Sequence, residues 1–392
     1  MAEELSYVII NPYTVSKSRT GGIIARLLTR TALDLVSAQM FAPSAQLVEE
    51  YNKHVVTDKD PQDRFIQELI RDYIKENFSP DPVTGQRKRL MMLLFRGDDA
   101  VRKVRESVGN IKKNSPRGET IRETYGDFIL NRDGTVRYFE PAVLASPNVD
   151  EARTKLKIWA KYSEGDGGLL DSKLITLPTG TDPQHERTLV IIKPDNFRYP
   201  SGRPGNIIDI FSRTGLAITS IKLHRMSVAE AEEFYGPVRQ VLRDKLGGSI
   251  ADRASELLET AMDLKIDKDT RANLAKLLGP LAGDQQFNNI VKFMTGRCPS
   301  ECPPEERTML GLEKCIVLTY EGVDAVRKIR EVLGPTDPSK APPGSIRREF
   351  GQTIMVNAAH ASDSAENAQR EQGIVKVRQN NFKSVVESFY GD

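Results

Sequence analysis

The 392-residue sequence is poor in the residues that build disulfide frameworks and metal clusters, with three cysteines and four histidines. A small, odd number of cysteines in so long a chain is typical of a reducing compartment and argues against a disulfide-stabilised extracellular fold. No apolar run approaches the length that spans a bilayer. The first residues, Met-Ala-Glu-Glu-Leu-Ser-Tyr, lack the basic start and apolar stretch of a signal peptide. We therefore expect a cytoplasmic protein without membrane attachment.

The sequence also lacks an excess of charge of either sign. Its 56 basic and 54 acidic side chains leave a net charge of +2, so no bulk field draws the protein onto nucleic acid or anionic lipid. Clusters that combine aromatic and basic residues are absent as well, which makes nucleic acid an unlikely partner. Cys298 and Cys302 have the spacing of half a zinc site, but no second pair or nearby histidine completes it. An ordinary loop is the favoured interpretation, and no metal held by protein ligands is expected.

Length and composition predict more than one hydrophobic core. With 39% hydrophobic and 28% charged residues, the chain has the composition of a globular protein but exceeds one ordinary domain. The chain also repeats itself, and two tandem copies of one domain are the simplest explanation. Four pairs of segments carry the repeat: 8–13 with 190–195, 21–24 with 205–208, 97–106 with 322–331, and 121–122 with 346–347.

These repeats divide the chain into a first copy at residues 1–164, a linker at 165–185 and a second copy at 186–392. Glycine and proline clusters at 165–168 and 178–183 punctuate the linker. β-branched runs at 189–192, 315–319 and 352–356 predict strands, and apolar residues on a helical period predict a helix at 205–214. The βαββαβ order of each copy predicts an α+β fold, with an antiparallel sheet and helices on one face.

The two copies differ in the middle. The first has room for one extra helix, with Asp60-Pro61 as its expected start. The second carries a large helical insertion at about 236–286, in which we expect helices at 255–264 and 269–278, the latter ending at Gly279-Pro280. A helical cap or an oligomer contact is a simpler interpretation of this insertion than a second active centre.

The segment 356–364, Val-Asn-Ala-Ala-His-Ala-Ser-Asp-Ser, places a histidine among small residues that a bulky substrate can approach. Imidazole is nucleophilic when neutral, and an ordinary histidine is largely neutral at pH 7. His360 could therefore attack a phosphorus atom. A lone histidine in such a loop is more often structural, so the interpretation depends on the groups around it.

Those groups occur in a recognisable order, and residues 186–371 resemble nucleoside diphosphate kinases. The matching segments are 186–195 with its Lys-Pro-Asp turn, 321–330, 333–338, 343–347, and 357–366 followed by Glu371. From Arg330 to Glu371 every motif residue falls at the family's spacing without a gap. The resemblance implies two tandem ferredoxin-like domains, with an active site in a cleft beside the second sheet.

The resemblance assigns roles to the groups around the histidine. His360 would take the terminal phosphoryl group from a donor triphosphate and return it to an acceptor diphosphate. Glu371 would accept a hydrogen bond from the other ring nitrogen, and Ser362 would orient that carboxylate. Tyr235 matches a tyrosine of the family's pocket near the histidine.

Further matches concern the nucleotide. Arg330, Arg347 and Lys193 occupy positions of cations that contact the phosphates, and Thr336 would add a hydroxyl donor. Asn357 and Lys193 match the groups that hold the sugar 3′-hydroxyl. Mg²⁺ is the implied cofactor, carried on the nucleotide phosphates and not in a cage of carboxylates.

Two positions depart from the family pattern. The aromatic residue that stacks on the base in the family falls at Gln286 here, and the neighbouring Phe287 is the candidate replacement. Ala361 stands where the family usually has glycine.

The first copy differs at the reacting group itself. It keeps Arg105 and Arg122, but it has Asn11, Tyr13 and Leu144 at the positions of Lys193, Asp195 and His360. Leucine cannot carry a phosphoryl group, so we expect this copy to be catalytically silent and to act as a scaffold that packs on the active copy. Further self-association into a homo-oligomer is also expected.

The favoured function is that of a cytoplasmic nucleoside diphosphate kinase, a phosphotransferase that uses ATP to phosphorylate nucleoside diphosphates through a phosphohistidine at His360. The alternative is a nucleotide-binding regulatory or interaction protein whose insertion and first copy bind a partner, with vestigial kinase activity. Turnover with saturating ATP and a second nucleoside diphosphate distinguishes the two.

Overall fold

The computed structural model describes residues 3–111, 118–177 and 184–391. The first copy contains β1 (Glu3–Ile10), α1 (Pro12–Ser16), α2 (Thr20–Thr31), β2 (Asp34–Phe41), α3 (Ala45–Asn52), α4 (Arg64–Phe78), β3 (Leu90–Asp98), α5 (Ala100–Val108), α6 (Ile121–Tyr125), β4 (Asp127–Leu130), β5 (Val136–Glu140), β6 (Val143–Ala145) and α7 (Val149–Tyr162). The second contains β7 (His185–Ile192), α8 (Arg203–Ser212), β8 (Ala217–His224), α9 (Val228–Met262), α10 (Lys268–Thr295), β9 (Cys315–Val323), α11 (Ala325–Leu333), α12 (Ile346–Phe350), β10 (Ala359–Ala361), α13 (Ala365–Ile374) and α14 (Phe382–Tyr390).

Each copy forms a four-stranded sheet with the same strand order. The order is β2-β3-β1-β6 in the first copy and β10-β7-β9-β8 in the second, so the second strand of each copy lies at one edge and the short last strand at the other. The first strand of each copy pairs antiparallel with both of its neighbours. This is the ferredoxin-like topology predicted from the βαββαβ order, and the prediction is confirmed for both copies. A separate hairpin joins β4 and β5.

The two copies contact each other through helices α2 and α8. Gly21 on α2 and Gly205 on α8 occupy equivalent places in the repeat, and each lies against the backbone of the other helix. A Cβ atom on Gly21 would overlap the backbone of Asp209, and one on Gly205 would overlap the backbone of Ala25. Glycine at these two positions therefore allows the helix axes to approach more closely than larger residues would permit.

The linker between the copies is packed where the structure describes it. Asp166 is buried and accepts hydrogen bonds from the backbone N–H and hydroxyl of Ser44, at 2.9 and 2.6 Å. Leu170 donates its N–H to the carbonyl of Thr219 in β8 at 3.0 Å, and Ile175 is buried in the core. The expected cluster at 178–183 lies outside the described residues. Residues 165–177 thus connect the two sheets by specific contacts.

Helix α14, from the second copy, completes the core of the first. Phe382 is fully buried, and its ring packs edge-on against Phe41 of β2 with centroids 5.3 Å apart. At the other end of α14, the hydroxyl of Tyr390 donates to the carbonyl of Leu5 in β1 at 3.0 Å. The last helix therefore packs against strands β1 and β2 of the first copy.

Residues His224–Cys315 form a second compact unit, whereas both sheets belong to the first unit, Met1–Leu223 with Ile316–Asp392. In the second unit α9 has 35 residues and α10 has 28, so both helices are much longer than predicted. The predicted stop at Gly279-Pro280 is wrong, because α10 runs through it. Gly279 instead lies against Gly247 of α9, and a Cβ there would meet the Gly247 Cα at 3.1 Å. None of the described helices is long and apolar enough to cross a membrane.

Two other local predictions are wrong. The strand predicted at 352–356 does not form, since residues 353–356 are bends, and the edge strand is the three-residue β10 that contains the histidine. The extra helix of the first copy begins at Arg64, where Asp63 accepts from the N–H of Ile66, and not at Asp60-Pro61. In both cases the element forms a few residues away from the segment in which the sequence pattern predicts it.

Candidate active site

His360 lies on the short edge strand β10, opposite Ile191 of β7. Because side chains alternate along a strand, the imidazole points away from the face that buries Ala359 and Ala361, and about a fifth of its surface is exposed. Ala358 precedes the strand with φ of 69°, an unusual conformation for a residue other than glycine. Its carbonyl accepts the N–H of Lys193 at 2.9 Å. This turn and strand fix the backbone on which the histidine stands.

A buried carboxylate orients the imidazole. The Nε2 atom of His360 lies 2.9 Å from Oε2 of Glu371, and Ser362 donates its hydroxyl to the same oxygen at 2.6 Å. Glu371 and Ser362 are both buried. Glu371 sits on α13, which Ser364 caps by accepting the N–H of Asn367. A carboxylate that accepts from Nε2 selects the tautomer whose lone pair is on Nδ1.

Lys193 follows β7 and lies beside the amide that precedes the histidine strand. Its Nζ donates to Oδ1 of Asn357 at 2.7 Å and to the carbonyl of Met355 at 3.3 Å. Burial, followed by the charge of Arg347, lowers the pKa of Lys193 to about 8. The amide group of Asn357 donates to the carbonyl of Thr336 at 3.1 Å. Hydrogen bonds thereby join three of the predicted residues, and the charge of a fourth, Arg347, acts on Lys193.

The two arginines reach the site from different helices. Arg347 on α12 donates to the carbonyl of Gly334 at 3.0 Å and to that of Ala359, next to the histidine, at 3.2 Å. Arg330 on α11 is exposed. The pKa of Asp363, three residues beyond His360, is lowered first by a hydrogen bond from Asn367 and also by the charge of Arg330. Both guanidinium groups therefore act on the segment that carries the histidine.

These geometries agree with a match to a known family. A family model described as nucleoside diphosphate kinase matches residues 4–164, 186–242 and 238–379. The chain belongs to the nucleoside diphosphate kinase family. The match also begins anew at residue 186, where the repeat places the start of the second copy.

Relatives of this family match about half of the chain at a time. A nucleoside diphosphate kinase of an Anaeromyxobacter species is 32% identical over 187 residues, which cover 48% of this chain and 86% of that protein. The one from Staphylothermus marinus is 31% identical over 186 residues, covering 47% and 89%. Among solved structures, an orthorhombic crystal form of the Aquifex aeolicus enzyme is 28% identical and covers 49% of this chain and 94% of that chain, with a TM-score of 0.31. The family match over both copies and the curated relatives make this chain an enzyme of the nucleoside diphosphate kinase family that carries the family's domain twice.

Two residues that the resemblance assigned to the site belong to the helical unit. Tyr235 on α9 is 8% exposed, and its ring packs edge-on against Phe234. Phe287 on α10 is 2% exposed, and the guanidinium group of Arg239 lies 5.2 Å from its ring centroid. Their roles beside the histidine and the base remain predictions.

The first copy reproduces the family's backbone around a different set of side chains. Leu144 in β6 pairs with Ile9 in β1. In the second copy His360 in β10 pairs with Ile191 in β7 in the same way. Lys155 follows Leu144 by the same eleven residues that separate Glu371 from His360. The carboxylate position is therefore occupied by a cation. The same spacing could have identified Lys155 from the sequence alone.

The first copy also differs at the positions of Lys193 and Asn357. The carboxylate of Glu140 accepts from the hydroxyl of Tyr73 at 2.7 Å, from the N–H of Ala142 at 3.0 Å, and from the amide of Asn11 at 3.4 Å. Burial raises the pKa of Glu140. By its distance from Leu144, Pro141 stands at the position of Asn357. A buried network thus replaces the lysine and asparagine of the second copy.

A second histidine–carboxylate pair was not expected from the sequence. The Nε2 atom of His185 lies 2.9 Å from Glu321, which also bonds Arg187 and Ser172. The Nδ1 atom of His185 is buried and lacks a hydrogen-bond partner within the described part of the chain. Because a nucleotide cannot reach that buried nitrogen, His185 resembles His360 in its hydrogen-bond partners but not in its accessibility.

Proposed function

We propose that the second copy transfers the terminal phosphoryl group of ATP to nucleoside diphosphates through a phosphohistidine at His360. The observation that carries the proposal is the bond between Nε2 of His360 and the buried Glu371, which Ser362 also binds. It directs the lone pair of the other ring nitrogen, Nδ1, toward an incoming phosphate. His185 has partners of the same type around a buried Nδ1, so the bond to Glu371 supports the proposal together with the partial exposure of the His360 side chain.

The reaction has two balanced half-reactions. In the first, the Nδ1 lone pair attacks the terminal phosphorus of ATP, a P–N bond forms, and the bond between that phosphorus and the bridging oxygen breaks to release ADP. In the second, a terminal oxygen of the acceptor diphosphate attacks the same phosphorus and the P–N bond breaks. Glu371 stabilises the positive charge that the imidazole gains while it carries the phosphoryl group.

Positioned cations supply most of the remaining stabilisation, because negative charge spreads over the oxygens of the moving phosphoryl group. Arg347 and Arg330 are suited to phosphate through their planar donor forks, and the Thr336 hydroxyl would add a donor. Lys193, with a pKa of about 8, is still mostly protonated at pH 7. Together with Asn357 it would hold the sugar 3′-hydroxyl.

Mg²⁺ enters this proposal as part of the nucleotide. Within the described residues no group of three or more histidine, cysteine, aspartate or glutamate side chains could hold a metal ion. The site instead offers guanidinium and ammonium groups, which bind phosphate oxygens and repel a cation. A Mg²⁺ ion carried on the nucleotide phosphates would neutralise part of their charge without any protein carboxylate.

Labelling with γ-³²P-ATP tests the mechanism. The protein should form an acid-labile, base-stable adduct that is chased onto GDP, and His360→Ala should abolish it. His185→Ala is the matched control, because His185 has the same type of carboxylate partner but a buried Nδ1, and its adduct should be unchanged. An adduct that persists in His360→Ala would refute the phosphohistidine. Binding of nucleotide without turnover would favour the regulatory alternative.

A further inference from the structure

The first copy retains a small cavity where the second copy has its histidine. Its volume is about 40 Å³, and Leu144 lines it at the position of His360. Three cationic side chains, Arg105, Arg122 and Lys155, also line it, with one carboxylate, Asp60. We name this cavity the first-copy pocket. It combines a lining rich in positive charge with a lining residue that cannot accept a phosphoryl group.

The cations of the first-copy pocket are poorly compensated. Arg122 is 9% exposed and donates to the carbonyls of Gly109 at 2.8 Å and Val143 at 3.2 Å. Its Nε atom is buried and has no hydrogen-bond partner among the described residues. Burial and the charge of Arg105 lower the pKa of Arg122 to about 10. A buried guanidinium with an unused donor beside a second guanidinium is stabilised by an anion placed between them.

Compensation from nearby carboxylates is incomplete. Lys155 is 5% exposed and forms an ion pair with Glu151 at 3.1 Å, which neutralises one of the three cations. The charge of Asp60 raises the pKa of Arg122, but this effect is smaller than the lowering by burial and by the charge of Arg105. One carboxylate oxygen of Asp60 also accepts the N–H of Gln62 at 2.9 Å. One unit of positive charge therefore remains in excess.

The small size of this pocket favours a small ion over a nucleoside. One water molecule needs on the order of 10–15 Å³ of cavity volume. A cavity of about 40 Å³ therefore holds a few waters or one tetrahedral oxyanion. Val55, Asp60 and Gln62, from the segment between α3 and α4, form part of its wall. That segment is held to the start of α7 by a hydrogen bond from the amide of Asn148 to the carbonyl of Lys59, at 2.8 Å.

We propose that the first copy is an oxyanion-binding domain whose pocket holds one inorganic phosphate or sulfate ion between Arg105, Arg122 and Lys155 without transferring it. Nη1 of Arg105 donates to the carbonyl of Pro147 at 2.5 Å. The Arg122 Nε and the remaining outer N–H groups of Arg105 supply donors of the charge-assisted type that phosphate oxygens prefer. Lys155, in place of the carboxylate of the second copy, adds positive charge where an anion would otherwise be repelled. This site is independent of the proposed function of the second copy.

Calorimetric titration of the full chain with inorganic phosphate tests the site. Saturating Mg²⁺ and a non-transferable ATP analogue first fill the second copy, so that further phosphate can bind only elsewhere. We expect one additional phosphate site per chain, competition by sulfate, and no competition by chloride at the same ionic strength. If neither phosphate nor sulfate binds at a saturable site, or if chloride competes equally at the same ionic strength, the proposed oxyanion site is wrong.

Two variants locate the site. Arg105→Gln should weaken phosphate binding at least tenfold, whereas Arg102→Gln, an exposed arginine on the same helix that pairs with Asp99 and Glu106, should leave it unchanged. Leu144→Glu places a carboxylate among the cations and should abolish binding in a chain that remains folded by circular dichroism. Phosphate binding that is unaltered in both Arg105→Gln and Leu144→Glu would overturn the proposal. His360→Ala should still bind phosphate at this site, which separates its failure from failure of the kinase mechanism.

Discussion

The two copies share a backbone around their sites and differ in the side chains placed upon it. Ala142 in the first copy and Ala358 in the second both have positive φ, 60° and 69°. Arg122 and Arg347 each bond the carbonyls of a glycine and of a residue in the last strand. The fold thus places equivalent backbone positions in both copies, whereas the chemistry depends on the few side chains that occupy them.

Exchanging the residues at the position of the histidine should have the largest effect on activity. His360→Leu gives the second copy the side chain of the first and should lower exchange on the order of 10⁴-fold or more, because the covalent route is lost. Adding Leu144→His should not restore activity, since Lys155 stands in place of the glutamate. Steady-state exchange between ATP and GDP measures both variants. Recovery in the double variant would show that the first copy lacks only its nucleophile.

The second prediction concerns the contact between helices α2 and α8 of the two copies. Gly205→Ala should lower the free energy of unfolding by about 1–3 kcal/mol, because its Cβ would overlap the backbone of α2 and the helices must separate. Gly248→Ala is the matched control, since no atom lies within 4 Å of a Cβ on this helical glycine. Denaturant unfolding of both variants measures the effect. Equal stability would mean that the packing of α2 on α8 contributes little.

The carboxylate partner of the histidine should have a smaller effect than the histidine. Glu371→Gln keeps a hydrogen-bonding group beside Nε2 but removes the charge, and exchange should fall on the order of 10- to 100-fold. Glu366→Gln, an exposed change on the same helix, should retain full activity. Initial rates at saturating nucleotide separate these outcomes, and an unchanged rate in Glu371→Gln would remove the carboxylate from the mechanism.

Lys193 can lose its charge, whereas its counterpart Asn11 in the first copy is neutral. This difference predicts the smallest effect, a dependence of the exchange activity on pH. Lysine is charged below its pKa, so the free enzyme loses this cation as pH rises through about 8. We expect kcat/KM to decline above that pH by at most tenfold per unit. In Lys193→Arg the guanidinium group stays charged, and the decline should disappear. A decline that persists unchanged in Lys193→Arg would have to come from another group.

Much of the site could be predicted from the sequence, because spacing along the chain fixes it. The eleven residues from His360 to Glu371 bring both side chains together once β10 and α13 form. The strand itself could not be predicted: its residues are Ala-His-Ala, alanine is depleted in strands, and only pairing with β7 makes the segment extended. The expected strand at 352–356 had the stronger β-branched signal but no partner strand in the described structure.

The helical unit was predicted less well for a related reason. Glycine followed by proline is a strong signal for the end of a helix, yet Gly279 lies inside α10 because α9 passes close to it at Gly247. Local signals cannot distinguish a glycine that ends a helix from one that accommodates a neighbouring helix. The packed linker was missed in the same way, since Asp166 and Ile175 find their partners at distant positions in the chain.

The position of α14 has a consequence for synthesis on the ribosome. The contact of Tyr390 with Leu5 joins residues 385 apart in sequence, and Phe382 fills the space beside Phe41. Translation delivers β1 and β2 first, but the aromatic side chain that packs on them leaves the exit tunnel only after the strands of both sheets have been made. During that interval the earlier domain exposes an apolar surface, so a nascent chain stalled before residue 382 should be a preferred client of chaperones that bind such surfaces.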